Sequence, residues 1–265
     1  MTLSARDRQG LWLIGGVAVA VIALFTVNQQ LQNTEKPGPD GCFDRTTRNT
    51  VVLLDYSDSI SRQTRDEIEA RAMEWVADSV HEGERVSVFA ASEESIDSLH
   101  PLFTRCRPPA DGNVIIEDAR RIRLAFDTAF NRPLKAILGA SAGSSDKSPL
   151  TQVLIDLSLS RFMRTTDTTA LLVFSDLLEH NPPIFSLYSC SAPDKVVPNF
   201  RLARAGMQAR PSFRNLRVML HIIPRGGMSA TTIKCRDTLW MWFFGDNQGT
   251  SARLEPSYLP GGPTI

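Results

Sequence analysis

The sequence predicts an α/β domain on a mostly parallel sheet with helices on both faces, preceded by one transmembrane helix. Three observations predict it. Short, continuous apolar runs such as Thr50–Leu54 (TVVLL), Thr169–Phe174 (TALLVF) and Arg217–Ile223 (RVMLHII) are bounded by turn-prone residues. Strands buried on both faces of a parallel sheet read this way. Stretches of helical periodicity alternate with these runs, and that alternation implies right-handed crossovers and a parallel sheet. Near the N-terminus, Leu11–Val27 (LWLIGGVAVAVIALFTV) carries no charge.

That first run spans roughly 25 Å as a helix, slightly short of the ~30 Å hydrocarbon core of a bilayer unless flanking residues help. Arg6 and Arg8 precede it and an uncharged polar stretch follows, so the positive-inside rule places the N-terminus in the cytoplasm and the rest outside. No small-x-small cleavage site follows Val27, which favours a retained anchor over a cleaved signal peptide. The expected organisation is a cytoplasmic N-terminus over 1–10, a transmembrane helix over 11–28, a linker over 29–45, the α/β domain over 46–250 and a tail over 251–265. The Pro- and Gly-rich stretch Asn33–Gly41 marks the linker.

After the strand Thr50–Leu54, Thr64–Val80 sets Ile68, Ala72, Trp75, Val76 and Val80 at helical spacing, with Gly83 where the helix stops. Arg85–Ala91 is a second strand and His100–Thr104 a short third. Glu117–Leu138 has helical periodicity interrupted near Pro133, and Pro149–Met163 is a further helix. The strands Thr169–Phe174 and Arg217–Ile223 follow, and Cys235–Phe244 is a last helix whose aromatic residues pack on the sheet. His221, inside a strand, reads as a core residue, and His180 as a loop histidine near a strand end.

Lys plus Arg number 29 and Asp plus Glu 29; without a basic surplus, nothing points to nucleic acid. Cys42, Cys106, Cys190 and Cys235 all follow the anchor, and an even count outside a membrane predicts two disulfides. Three pairings are open, and no pair has the spacing of a zinc site.

Ligands of open α/β sheets bind beyond the carboxyl ends of the strands, which directs attention past Leu54, Phe174 and Ile223. Past Leu54 stands Asp55-Tyr56-Ser57-Asp58-Ser59, a D-x-S-x-S array of oxygen-bearing side chains opening a helix. Such hard ligands suit magnesium or calcium. Past Phe174 stands Asp176, and Thr151 lies at the start of a mid-chain helix.

This strand-D-x-S-x-S start, mid-chain threonine and strand-ending aspartate resemble the metal-ion-dependent adhesion site of von Willebrand factor A (VWA) domains, from about Thr50 to Phe244. The resemblance implies a doubly wound sheet and a bound Mg2+ (or Ca2+ or Mn2+). It makes Ser57, Ser59 and Thr151 inner ligands, and Asp55 and Asp176 carboxylates acting largely through water. It further implies a partner protein that offers an acidic side chain to the cation. Two positions depart from the family pattern. Leu177 replaces the usual Gly after the last Asp, and Pro149-Leu150 precede Thr151 where Gly is usual, so Ser148 rivals Thr151. The family layout also implies the pairs Cys42–Cys106 and Cys190–Cys235.

No G-x-S-x-G elbow or Gly-rich phosphate loop occurs, so the expectation is a non-enzymatic interaction module on the outer face of the cytoplasmic membrane. The alternatives are a metal-dependent phosphoesterase using Asp55 and Asp176, and a degenerate scaffold without metal.

Overall fold

The computed structural model describes residues 12, 15–26, 38–43, 48–55, 57, 59–96, 98–111, 118–140, 145–163, 169–211, 216–245 and 253–259. The chain divides into Met1–Gly38 and Pro39–Ile265. In the first unit residues 15–26 are helical. Among the described residues no helix is long and apolar enough to cross a membrane, and part of the expected span 11–28 lies outside them.

The second unit is built on a six-stranded sheet. In chain order its strands are β1 (Asn49–Asp55), β2 (Arg85–Ala91), β3 (Phe103–Cys106), β4 (Thr169–Ser175), β7 (Leu216–Ile222) and β8 (Arg253–Tyr258). Their spatial order is β3-β2-β1-β4-β7-β8, with β3 antiparallel to β2 and every other pairing parallel. β1 and β4 are buried at every position, as their uninterrupted apolar runs require.

Helices cover both faces. On one, α1 (Arg62–Ser79) and α3 (Arg132–Leu138) press Ile68, Ala72, Val76 and Leu134 against Val52, Val88 and Leu172. α3 is reached from α2 (Ala119–Phe126) through a π-helical turn, Asp127–Asn131, at the interruption expected near Pro133. On the other face, α4 (Leu150–Leu159) and α6 (Ala230–Phe244) set Leu154, Leu157, Trp240 and Phe243 against Val51, Leu53, Val173 and Leu220. Helix starts follow local chemistry: the hydroxyls of Ser61 and Ser229 accept the N–H groups of Thr64 and Thr232, which would otherwise be unpaired.

Three features differ from the sequence-based expectation. Residues 251–265 are not all tail, because Arg253–Tyr258 adds β8 at the sheet edge. Its sequence, RLEPSY, lacks an apolar run and contains Pro256, which an edge strand tolerates and a central one does not. The last helix starts at Ala230, before Cys235. Between β4 and β7 lies an unforeseen excursion: the hairpin β5 (His180–Asn181) and β6 (Phe185–Ser186), then α5 (Val196–Ala203). Leu178, Leu187, Val196, Phe200 and Leu239 give this excursion a small core of its own against α6.

The disulfides pair as the resemblance implied. Cys42 bonds Cys106 beside β3, and Cys190 bonds Cys235 of α6. His221 is only partly buried, stacked on Phe174 and hydrogen-bonded to Ser257.

Candidate metal centre at the upper edge of the sheet

β1 and β4 are hydrogen-bonded neighbours in register Leu54↔Phe174, so the residues that follow, Asp55 and Ser175, stand side by side at the carboxyl edge. The sheet itself thus brings two widely separated segments to one point. Asp55 is buried and held from three sides. Its Oδ1 accepts the Ser57 N–H at 3.0 Å, closing the turn into α1. Its Oδ2 accepts the hydroxyls of Ser175 at 2.6 Å and Ser148 at 3.0 Å. Burial raises the proton affinity of Asp55 above the ordinary carboxylate value, and the hydrogen bonds from Ser175, Ser57 and Ser148 oppose that rise.

Asp176 is buried as well. Oδ1 accepts the Leu178 N–H at 2.9 Å, and Oδ2 accepts Nη1 of Arg225 at 2.9 Å. Burial, and next the facing charge of Asp55, push its pKa to about 6. Ser57, Ser59, Asp55 and Asp176 line one cavity of about 330 Å³, with Arg225 on its rim. Four of the five expected metal-site residues are therefore together.

Thr151 is the exception. It is fully buried, with its N–H and hydroxyl both donating to the carboxylate of Glu179, at 2.8 and 3.0 Å. A threonine held this way does not line the cavity with the other four. The physical reason is the register of the loop before α4. Ser148 forms an antiparallel bridge with His180, its N–H donating to the His180 carbonyl at 2.8 Å, and this bridge turns the Ser148 hydroxyl onto Asp55. Ser148 takes the threonine's place beside the first aspartate.

Glu179 was missed by sequence reasoning. It sits fully buried at the N-terminus of α4, where a carboxylate meets the helix dipole and its unpaired N–H groups. Burial raises its pKa to about 8, against the lowering effect of the Thr151 hydrogen bonds and of Arg204. Nothing in its sequence surroundings, LLEHN, marks such a role.

Leu177 occupies the position where the family pattern has Gly, and it adopts φ +62. This left-handed backbone is the conformation Gly accepts readily and a Leu accepts at a cost of about 1–2 kcal/mol. Three contacts hold it there. Its N–H donates to Ser175 Oγ at 2.7 Å, its carbonyl accepts Trp240 Nε1 at 2.7 Å, and its side chain is buried in the core.

A second, polar cavity of about 240 Å³ adjoins through Ser57 and is lined by Ser145, Lys147, Ser148, His180 and Tyr188. His180 hydrogen-bonds Ser186 through Nδ1 and meets the Tyr188 ring edge-on. Lys147 pairs with Glu93.

Among the described residues no group of three or more His, Cys, Asp or Glu side chains is arranged to hold a metal ion. A cation here would rest on two carboxylates supplemented by hydroxyls, a donor set of hard oxygens.

No protein-family model matches the chain, and no curated protein matches it. Solved structures do show similarity. An aerotolerance-related membrane protein from Bacteroides fragilis is 11% identical, with a TM-score of 0.31 and 65% of each chain covered. BatB from Bacteroides thetaiotaomicron is 8% identical, with a TM-score of 0.35, covering 79% of this chain and 90% of that one. The pilus adhesin SpaC from Lactobacillus rhamnosus GG is 9% identical, with a TM-score of 0.43, covering 82% of this chain and 28% of the adhesin. The chain thus spans just under two thirds of the first of these and about a quarter of the adhesin. Identities this low and superpositions this loose assign neither a family nor a ligand, and the site's meaning rests on its own geometry.

Proposed function

We propose that the chain is a membrane-anchored, extracytoplasmic VWA-like module that binds a divalent cation at the upper edge of its sheet and engages another protein there. The observation that carries this reading is the convergence of Asp55 and Asp176, from neighbouring strands, with Ser57 and Ser59 on one cavity. The charge of Asp55 adds to burial in raising the proton affinity of Asp176, so a positive charge placed between the two carboxylates is favoured. Ser57 and Ser59 would ligate the cation directly, with Asp55 and Asp176 oriented by Ser148, Ser175 and Leu178. Mg2+ fits this small, oxygen-only set, with Ca2+ or Mn2+ as alternatives. The bound cation would supply an electrophilic contact for an acidic side chain on the partner.

The disulfides support an oxidising compartment, and the uncharged run Leu11–Val27 supports the anchor.

Thermal unfolding of the oxidised full chain in detergent tests the site. Magnesium at about 100 times Kd stabilises the folded state by about 2.7 kcal/mol, a rise of several degrees in Tm. Ser57→Ala and Asp176→Asn are expected to abolish the rise while leaving the cation-free Tm within a few degrees. Identical curves in EDTA and in saturating magnesium would remove the cation from the proposal and leave a scaffold.

A further inference from the structure

Arg225 is the one cation on the rim of the carboxylate cavity among its described lining residues. It belongs to the loop Ile223–Ser229, which joins β7 to α6. Its Nη1 lies 2.9 Å from Oδ2 of Asp176, while Oδ1 is already taken by the Leu178 N–H. The oxygen of Asp176 not committed to the backbone is thus the one the guanidinium holds. A divalent cation among Ser57, Ser59, Asp55 and Asp176 would draw on that same oxygen, directly or through water. It would also stand within a few ångströms of a guanidinium that is about one-third exposed, and like charges at that range repel.

In the same position the guanidinium is also held by a second residue. It lies over the ring of Tyr188, with Cζ 5.1 Å from the centroid, and it also hydrogen-bonds the Tyr188 hydroxyl. Tyr188 is about half exposed, so a guanidinium resting on its ring can be hydrated. Gly226 and Gly227 follow Arg225 directly, and Gly227 has φ +74, a backbone setting that residues with a side chain adopt only at a cost.

We propose that Arg225 sets the cation affinity of the site by competing, as a tethered positive charge, for Oδ2 of Asp176. The guanidinium and a divalent cation occupy that carboxylate in turn. When the cation binds, Arg225 gives up Asp176 and keeps its contacts with Tyr188, beside the cavity lined by Asp146, Lys147 and His180. This inference rests on the cation-binding reading above, and it adds that the affinity is held down from within.

Mn2+ binding to the oxidised full chain in detergent, followed by the electron paramagnetic resonance of free Mn2+ and by calorimetry, tests it. The proteins are wild type, Arg225→Gln, Arg225→Lys and Arg225→Gln/Asp176→Asn, each checked for folding by its near-UV circular dichroism. The expected result is that Arg225→Gln tightens Mn2+ binding about tenfold or more, that Arg225→Lys stays near wild type, and that the double variant loses binding. Binding by Arg225→Gln alone also supports the competition, and shows that in the native chain the guanidinium is the cation of the site. Equal affinity in wild type and Arg225→Gln overturns the competition and leaves the cation site standing. Weaker binding in Arg225→Gln overturns it too, since Arg225 would then assist. No binding in any variant overturns both readings, and Arg225→Ala, read by the same outcomes, takes the place of Arg225→Gln if that variant does not fold.

Discussion

Glu179→Ala is expected to destabilise the domain by about 2–5 kcal/mol, because it strips the acceptor from two buried donors at once. The N–H and hydroxyl of Thr151 both end on this carboxylate, and neither residue is exposed. Glu179→Gln separates size from charge. In the fold Glu179 holds its proton up to about pH 8, whereas the unfolded chain releases it near the ordinary value of 4.5. Its stabilising contribution is therefore complete below about pH 4.5 and disappears as pH rises through about 8. Asp176, raised from 3.8 to about 6, acts in the same direction over a lower window. The cation-free protein is expected to be more stable at pH 5 than at pH 8 by an amount on the order of a few kcal/mol. Glu179→Gln should flatten that slope above the range of Asp176. Urea midpoints at several pH values in EDTA measure this, and a wild-type midpoint that rises from pH 5 to pH 8 would refute the buried-acid account.

Removing the Cys190–Cys235 disulfide through paired alanine substitutions is expected to cost about 2–4 kcal/mol, most of it through the greater freedom of the unfolded chain. The bond closes a sequence separation of 45 residues. It fastens α6 to the excursion after β6, whose private core is small: Leu178, Leu187, Val196, Phe200 and Leu239. With so little apolar surface to hold it, the excursion should loosen first, and hydrogen exchange of β5, β6 and α5 should rise more than that of β1 and β4. In a domain of this size the expected fall in Tm is roughly 5–15 °C. An unchanged denaturant midpoint with unchanged exchange would show that the covalent tie adds nothing to the packing.

The central strands were legible because burial on both faces leaves a simple trace in sequence, an unbroken apolar run such as TVVLL or TALLVF. The position of D-x-S-x-S just past such a run made Asp55, Ser57 and Ser59 legible, and the same reasoning directed attention past Ile223, where Arg225 lies two residues on. β8 was hidden because an edge strand with one solvated side needs no apolar run and admits Pro256. The placing of Ser148, rather than Thr151, beside Asp55 was hidden for a different reason. It depends on a bridge between Ser148 and His180, and on a carboxylate 28 residues from Thr151, and no local pattern encodes either. Ranking Ser148 second to Thr151 followed family spacing, and the two departures before Thr151, Pro149 and Leu150, were the signal that the spacing had shifted.

The left-handed turn at Leu177 has a consequence for how Asp176 can move. A glycine there would let the peptide swing while the rest of the chain stayed still. Leu177 cannot turn without drawing its side chain out of the core and its carbonyl off Trp240. The carboxylate next to it is therefore aimed at folding, before any ligand arrives, and its direction is stiff on the timescale of binding. On the other side of the cavity stand Arg225 and the two glycines after it, so any adjustment to the proposed cation would be made there and not at Asp176.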